Sequence, residues 1–156
     1  MIKEFNEIKN FDRILIVGRG PTSRFLENYI SNKTFTIGFH NNLIPYNYSY
    51  TKASYVELKS IVGDKATQVG STKYELDLLL KFIDLVVDEI EVLILGFDFN
   101  SNNEDDDLEK EIRSFDKIQR KVDIDSQLIV YKRTKNLYKN LKVKRIGFDH
   151  NCDINP

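Results

Sequence analysis

The residues best placed to do chemistry lie in one short turn, Gly18-Arg19-Gly20-Pro21-Thr22-Ser23, directly after the apolar run Arg13 to Val17. Glycine lets a backbone turn tightly and come close to a ligand. Proline suits a first helical turn, where its missing N–H had no partner anyway. Free N–H groups and the positive end of a helix dipole then face outward above the strand, a setting in which phosphates bind. Gly18, Arg19, Gly20, Pro21 and Thr22 are therefore candidate nucleotide-binding residues. The pattern lacks the third glycine of the dinucleotide fingerprint and is not a Walker A loop. A plain tight strand-to-helix turn accounts for the same residues.

His40 and His150 are the two histidines of the chain, and each follows an apolar run. A general base needs a pKa near working pH and reach to a hydroxyl, which imidazole can supply, so both are candidate catalytic residues. Polar surface residues at loop entrances would look the same. The Asn41 amide could bond a base or ribose, and as a turn-former it needs no ligand. Ser71 and Thr72 open a helix, where hydroxyls bind carboxylate or phosphate; Thr72 with Glu75 also makes a capping box. Asp98 ends an apolar strand. It could orient a ribose or a loop, or cap the next turn. The run Glu104-Asp105-Asp106-Asp107 has no spaced calcium pattern and no glycine, so a solvated loop and no metal are expected. Lys132 to Arg145 is basic, either a solvated face or a contact for a phosphate-bearing partner.

These groups need a scaffold. With 156 residues, 41% hydrophobic and 30% charged, the chain reads as one globular domain over 1–156. A formal net charge of −1 gives no bulk attraction to nucleic acid. The single cysteine, Cys152, rules out an intrachain disulfide and fits a reducing cytoplasm. The N-terminus is too charged for a signal peptide, and charges interrupt the most apolar window, so no membrane span is expected.

Strands are expected at Arg13–Val17, Thr34–Phe39, Glu91–Phe97 and Val143–Phe148, with short ones at Ala53–Leu58 and Ala66–Val69. Helices are expected at Arg24–Ile30, Thr72–Asp88, around Leu108 to Phe115, and at Ser126–Leu141. Leu43–Lys52 reads as irregular and Asn100–Asp107 as a polar loop. Alternating strands and helices imply parallel pairing through right-handed crossovers: an α/β, Rossmann-like, mostly parallel sheet with helices on both faces. Ile37-Gly38-Phe39-His40, Leu95-Gly96-Phe97-Asp98 and Ile146-Gly147-Phe148-Asp149 repeat one strand ending. Ligands of open α/β sheets bind beyond such carboxyl ends.

Several of these segments, in this order, resemble the bacterial sialyltransferases that use a CMP-sugar donor, glycosyltransferase family 42. Ile14 to Thr22 resembles the family's first strand and Gly-x-Gly-Pro-Ser/Thr turn. His40-Asn41-Asn42 resembles the end of its second strand, with Asn41 matching the nucleotide-contacting asparagine. Gly70-Ser71-Thr72 and the helix to Asp88 resemble its donor-contacting turn and helix, and Leu95-Gly96-Phe97-Asp98-Phe99 its Gly-x-Asp-Phe strand end. Asp123-Ile124 and the Ser126 helix resemble its Asp-Ile segment.

The resemblance spans roughly 12–148 and implies a nucleotide-sugar donor, a glycan acceptor, no metal and no cofactor. A homo-oligomer is compatible with it. The family's proposed base is a histidine shortly before the Asp-Ile, and none lies between Leu108 and Ile124. The stretch from the second strand to Gly70 is shorter than in the family, and its C-terminal extension has no counterpart. His40 or His150 would have to substitute for the base. The alternative is a non-catalytic nucleotide- or sugar-binding module of glycan assembly.

Overall fold

Short β-branched and aromatic runs assemble into one five-stranded sheet: β1 (Arg13–Val17), β2 (Thr34–Phe39), β3 (Tyr48–Tyr50), β4 (Ile90–Leu95) and β5 (Leu141–Arg145). The computed structural model describes residues 2–63, 72–98, 137–148 and 152–156. The spatial order is β3-β2-β1-β4-β5, and each neighbouring pair is parallel. β1 lies at the centre, with Leu15 opposite Thr36 on one side and Leu93 on the other. The chain runs outward through β2 and β3, then returns to the far side of β1. Strand order therefore reverses between β1 and β4, the switch point at which open α/β sheets bind ligands. This is a Rossmann-like α/β fold.

Side-chain alternation along the strands feeds two cores. Ile14, Ile16, Phe35, Ile37, Val92, Ile94 and Val143 face one way. They are covered by a 3-10 helix (Lys3–Asn10), α1 (Lys52–Val62) and α2 (Thr72–Val86). Leu15, Val17, Leu93 and Leu95 face the other way, under Leu26 of a second 3-10 helix (Pro21–Asn28) and Ile146. In α2, Leu78, Leu79, Leu80, Phe82 and Ile83 are fully buried. Each such side chain contributes about 1.5–3 kcal/mol relative to exposure.

Four expectations need correction. Ala53–Leu58 is not a strand but the body of α1. Thr51 donates its N–H to Ser54 Oγ at 2.9 Å, and that local cap outweighs the β-leaning Tyr55-Val56 pair. Within the irregular stretch, Tyr48–Tyr50 pairs with Ile37–Phe39 as an edge strand, and Asn47 Oδ1 extends the ladder by accepting from Thr36 N–H at 2.8 Å. The first helix starts at Pro21 rather than Arg24, and as a 3-10 helix. Leu141 begins β5 rather than ending a helix, and Leu137–Asn140 is turn-like. The expected strand at 66–69, the acidic loop at 100–107, Asp123-Ile124 and most of the 126–141 helix lie outside the described residues.

Two aspartates of α2 set the start of β5. Asp84 accepts the Asn140 N–H at 3.1 Å, and Asp77 accepts the Tyr138 hydroxyl proton. Burial pushes the Asp77 carboxyl above its ordinary value near 3.8, although the Tyr138 bond and Lys81 pull the other way. A raised carboxyl binds its proton more tightly when folded. Its contribution is therefore fully present below the unfolded pKa and is lost as pH rises through the folded one. The stability of Asp77→Asn relative to the wild type should accordingly increase as pH climbs from about 3.8 toward neutrality. Urea denaturation across that range checks it, and a flat or falling difference contradicts it. Among the described residues no helix is long and apolar enough to cross a membrane.

Candidate functional site

Where the strand order reverses, the turns after β1 and β4 interlock. Gly18 N–H donates to Leu95 O and Gly20 N–H to Gly96 O, both at 2.7 Å. In return Gly96 N–H donates to Thr22 Oγ1 at 2.9 Å. Thr22 passes this on: its hydroxyl and its N–H both donate to Asp98 Oδ2, at 2.8 and 2.9 Å. Thr22 is buried, so each bond matters more than on a surface. Close backbone approach is what makes this possible. A Cβ on Gly20 would lie 2.4 Å from Asp98 Oδ2 and 2.7 Å from Gly96 O.

This arrangement corrects the expected cradle of free amides. Gly18, Gly20, Thr22 and Ser23 all donate inside the protein, and Pro21 has no N–H. The anion at the start of the second 3-10 helix is the protein's own Asp98 carboxylate, which caps a helix 76 residues earlier in the chain. Among the described residues, the Arg19 N–H has no such partner, and Arg19 itself stands exposed at the tip.

Asn41 is also drawn into structure. It is buried; its amide donates to Gly18 O at 2.7 Å, and its Oδ1 accepts from Leu43 N–H at 2.9 Å and Tyr46 Oη at 2.6 Å. It thus ties the end of β2 to the turn after β1. Burial holds the Tyr46 hydroxyl protonated, with a pKa pushed up to about 12, so it remains a donor to Asn41 at neutral pH.

His40 sits between these fixed points. Its N–H donates to Tyr50 O at 2.9 Å, and its backbone is left-handed, with φ 51°. That conformation is uncommon outside glycine and costs about 1–3 kcal/mol, a kind of strain that concentrates at functional sites. The His40 side chain meets Glu75, on the first turn of α2, with Nε2 to Oε2 at 2.9 Å. The carboxylate side chain is 9% exposed and the imidazole 21%. Aromatic rings wall the pair. Tyr50 stands edge-on to His40 at 5.3 Å, and Phe39 stacks on Tyr50 at 4.7 Å. Sequence spacing pairs Glu75 with Thr72 as a cap, and carries no sign of the contact with His40, 35 residues away.

The Tyr50 hydroxyl is buried with no hydrogen bond among the described residues. Burial, and next the Glu75 charge, raises its pKa well above the ordinary phenol value.

Arg145, placed by sequence on a polar basic face, is wholly buried at the end of β5. Its guanidinium donates to Phe97 O at 3.2 Å and so braces the turn that carries Asp98. Lys142 and Lys144 instead pair with Glu89 and Glu91 at 3.3 and 3.4 Å on the exposed face. Ser71 and His150 lie outside the described residues, as does the Thr72 side chain, although α2 does begin at Thr72. The structure thus brings Gly18, Arg19, Gly20, Pro21, Thr22, His40, Asn41 and Asp98 to one edge of the sheet and adds Glu75. No family model matches this chain, and none of the curated proteins or solved structures does either.

Proposed function

We propose that this protein binds a CMP-sugar donor of the sialic-acid type at the carboxyl edge of its sheet and transfers the sugar to a glycan hydroxyl. We place it in the cytoplasm, as its single cysteine suggests, and assign it no metal or cofactor. The supporting observation is the meeting of the Gly18–Thr22 and Gly96–Asp98 turns where strand order reverses, the usual ligand position in such sheets. The donor phosphate is assigned to the exposed Arg19 guanidinium and the Arg19 N–H, since the neighbouring amides are already bonded. In transfer, the acceptor oxygen bonds the anomeric carbon and gives up its proton. The carbon–oxygen bond to phosphate breaks, and CMP leaves with the electron pair.

A second reading, a module that binds nucleotide or sugar without turnover, draws on Asp98. Its carboxylate already holds the Thr22 N–H that would otherwise stabilise a leaving phosphate.

Isothermal titration with CMP and other nucleotides, followed by assay of donor breakdown with and without glycans, separates the two. Binding tighter than about 1 mM with acceptor-dependent CMP release supports transfer. Binding without release supports the module. No nucleotide binding at that concentration rejects both.

A further inference from the structure

We infer that His40 and Glu75 form an acid–base pair in which His40 Nδ1 takes the proton of a hydroxyl-bearing ligand and Glu75 positions the ring. Four observations converge on it. The imidazole lies at the carboxyl end of β2, beside the turn after β1 to which Asn41 ties it. Its Nε2 meets a nearly buried carboxylate at 2.9 Å. Its backbone is strained, with φ 51°. The ring of Tyr50, whose buried hydroxyl feels the Glu75 charge, stands edge-on against it.

A nearly buried carboxylate needs a partner, and the imidazole in its neutral form supplies one by donating Nε2–H. In that form the lone pair resides on Nδ1, which makes no hydrogen bond among the described residues. The arrangement follows the logic by which a carboxylate orients a catalytic histidine, holding one ring nitrogen protonated so that the other can act as base. Glu75 does not touch the reacting atoms in this scheme. It is a positioning residue.

A purely structural pair would account for the 2.9 Å contact. It would not by itself leave the second ring nitrogen unbonded, among the described residues, at the carboxyl edge of the sheet.

In the proton step, the Nδ1 lone pair takes the hydroxyl hydrogen as the oxygen bonds an electrophilic carbon. The group displaced from that carbon leaves with its electron pair. The choice of a glycan hydroxyl as substrate rests on the transferase proposal above; the pair itself does not.

The test is carbethoxylation by diethyl pyrocarbonate at neutral pH in a His150→Gln background, where His40 is the chain's one histidine. The adduct is followed by ultraviolet absorbance and located by peptide mass mapping. His40 should react readily in the folded protein. Glu75→Gln should slow the reaction about tenfold, because an amide can present N–H to Nε2 and reverse the tautomer. Glu75→Asp should recover part of the rate, and it stands in for Glu75→Gln if that variant does not fold.

A His40 that is inert while the protein is folded, or one that reacts equally fast in both Glu75 variants and the parent, overturns the inference. CMP added at about 1 mM should protect His40 if the donor binds at this edge. Ready Glu75-dependent reaction without protection would leave the pair standing and remove the CMP-donor proposal.

Discussion

Alanine at position 96 should lower the folding stability by about 3 kcal/mol, a large share of the roughly 5–15 kcal/mol typical of a domain. Two separate effects add. Gly96 has φ +81°, where a side chain costs about 1–2 kcal/mol. An added Cβ would also lie 2.8 Å from Gly18 O, 2.9 Å from Gly18 C and 3.1 Å from Gly18 N. These are backbone atoms of the facing turn and cannot rotate aside, so overpacking adds about 1–3 kcal/mol. Urea denaturation of Gly96→Ala against the wild type reads the loss. A loss of about 1 kcal/mol or less would mean that the added Cβ meets no resistance from the facing turn.

Valine at position 20 should cost about 2–4 kcal/mol and abolish any nucleotide binding at this edge. Here no unusual φ is involved, since Gly20 has φ −70° and ψ 167°. The damage comes from contact. The new Cβ would displace the Asp98 carboxylate and press on Gly96 O. Thr22 would then lose the acceptor of both its N–H and its hydroxyl proton, the equivalent of losing a helix cap. Asp98→Ala removes the same acceptor without the clash and should cost about 1–2 kcal/mol. Because both substitutions break one set of bonds, the double variant should fall short of the summed losses by about 1 kcal/mol. Full additivity in a double-mutant cycle would show that Asp98 and the turn after β1 are energetically separate.

What sequence can disclose here follows the range of the forces involved. β1 and β2 were legible to their end residues because a short, uninterrupted β-branched run bounded by glycine or polar residues leaves little choice. The start of α2 at Thr72 was legible through its leucine spacing. Tyr48–Tyr50 was not, since three residues carry no period and its partner strand lies about ten residues away. Nor was α1, where Tyr55-Val56 mimics a strand while the deciding contact is a serine hydroxyl at a helix start. The site shows the same division. The candidate edge coincides with two of the repeated Gly-Phe endings, Gly38-Phe39 of β2 and Gly96-Phe97 after β4, whereas Gly147-Phe148 lies past the end of β5. The bonds that define it join Thr22 to Asp98 and His40 to Glu75, and no local pattern encodes such pairs. Asn41, readable as a nucleotide contact or as a turn-former, bonds Gly18 O, Leu43 N–H and the Tyr46 hydroxyl, none of which its local sequence announces.

Nitrogen–proton correlation spectra recorded during titration with CMP probe the ligand edge residue by residue. Saturable shifts at Arg19, His40 and 96–98, complete by about 1 mM, are the predicted result. Unchanged spectra at that concentration, or shifts confined to the opposite edge around Asp12 and Lys33, would contradict a nucleotide site at the strand-order reversal.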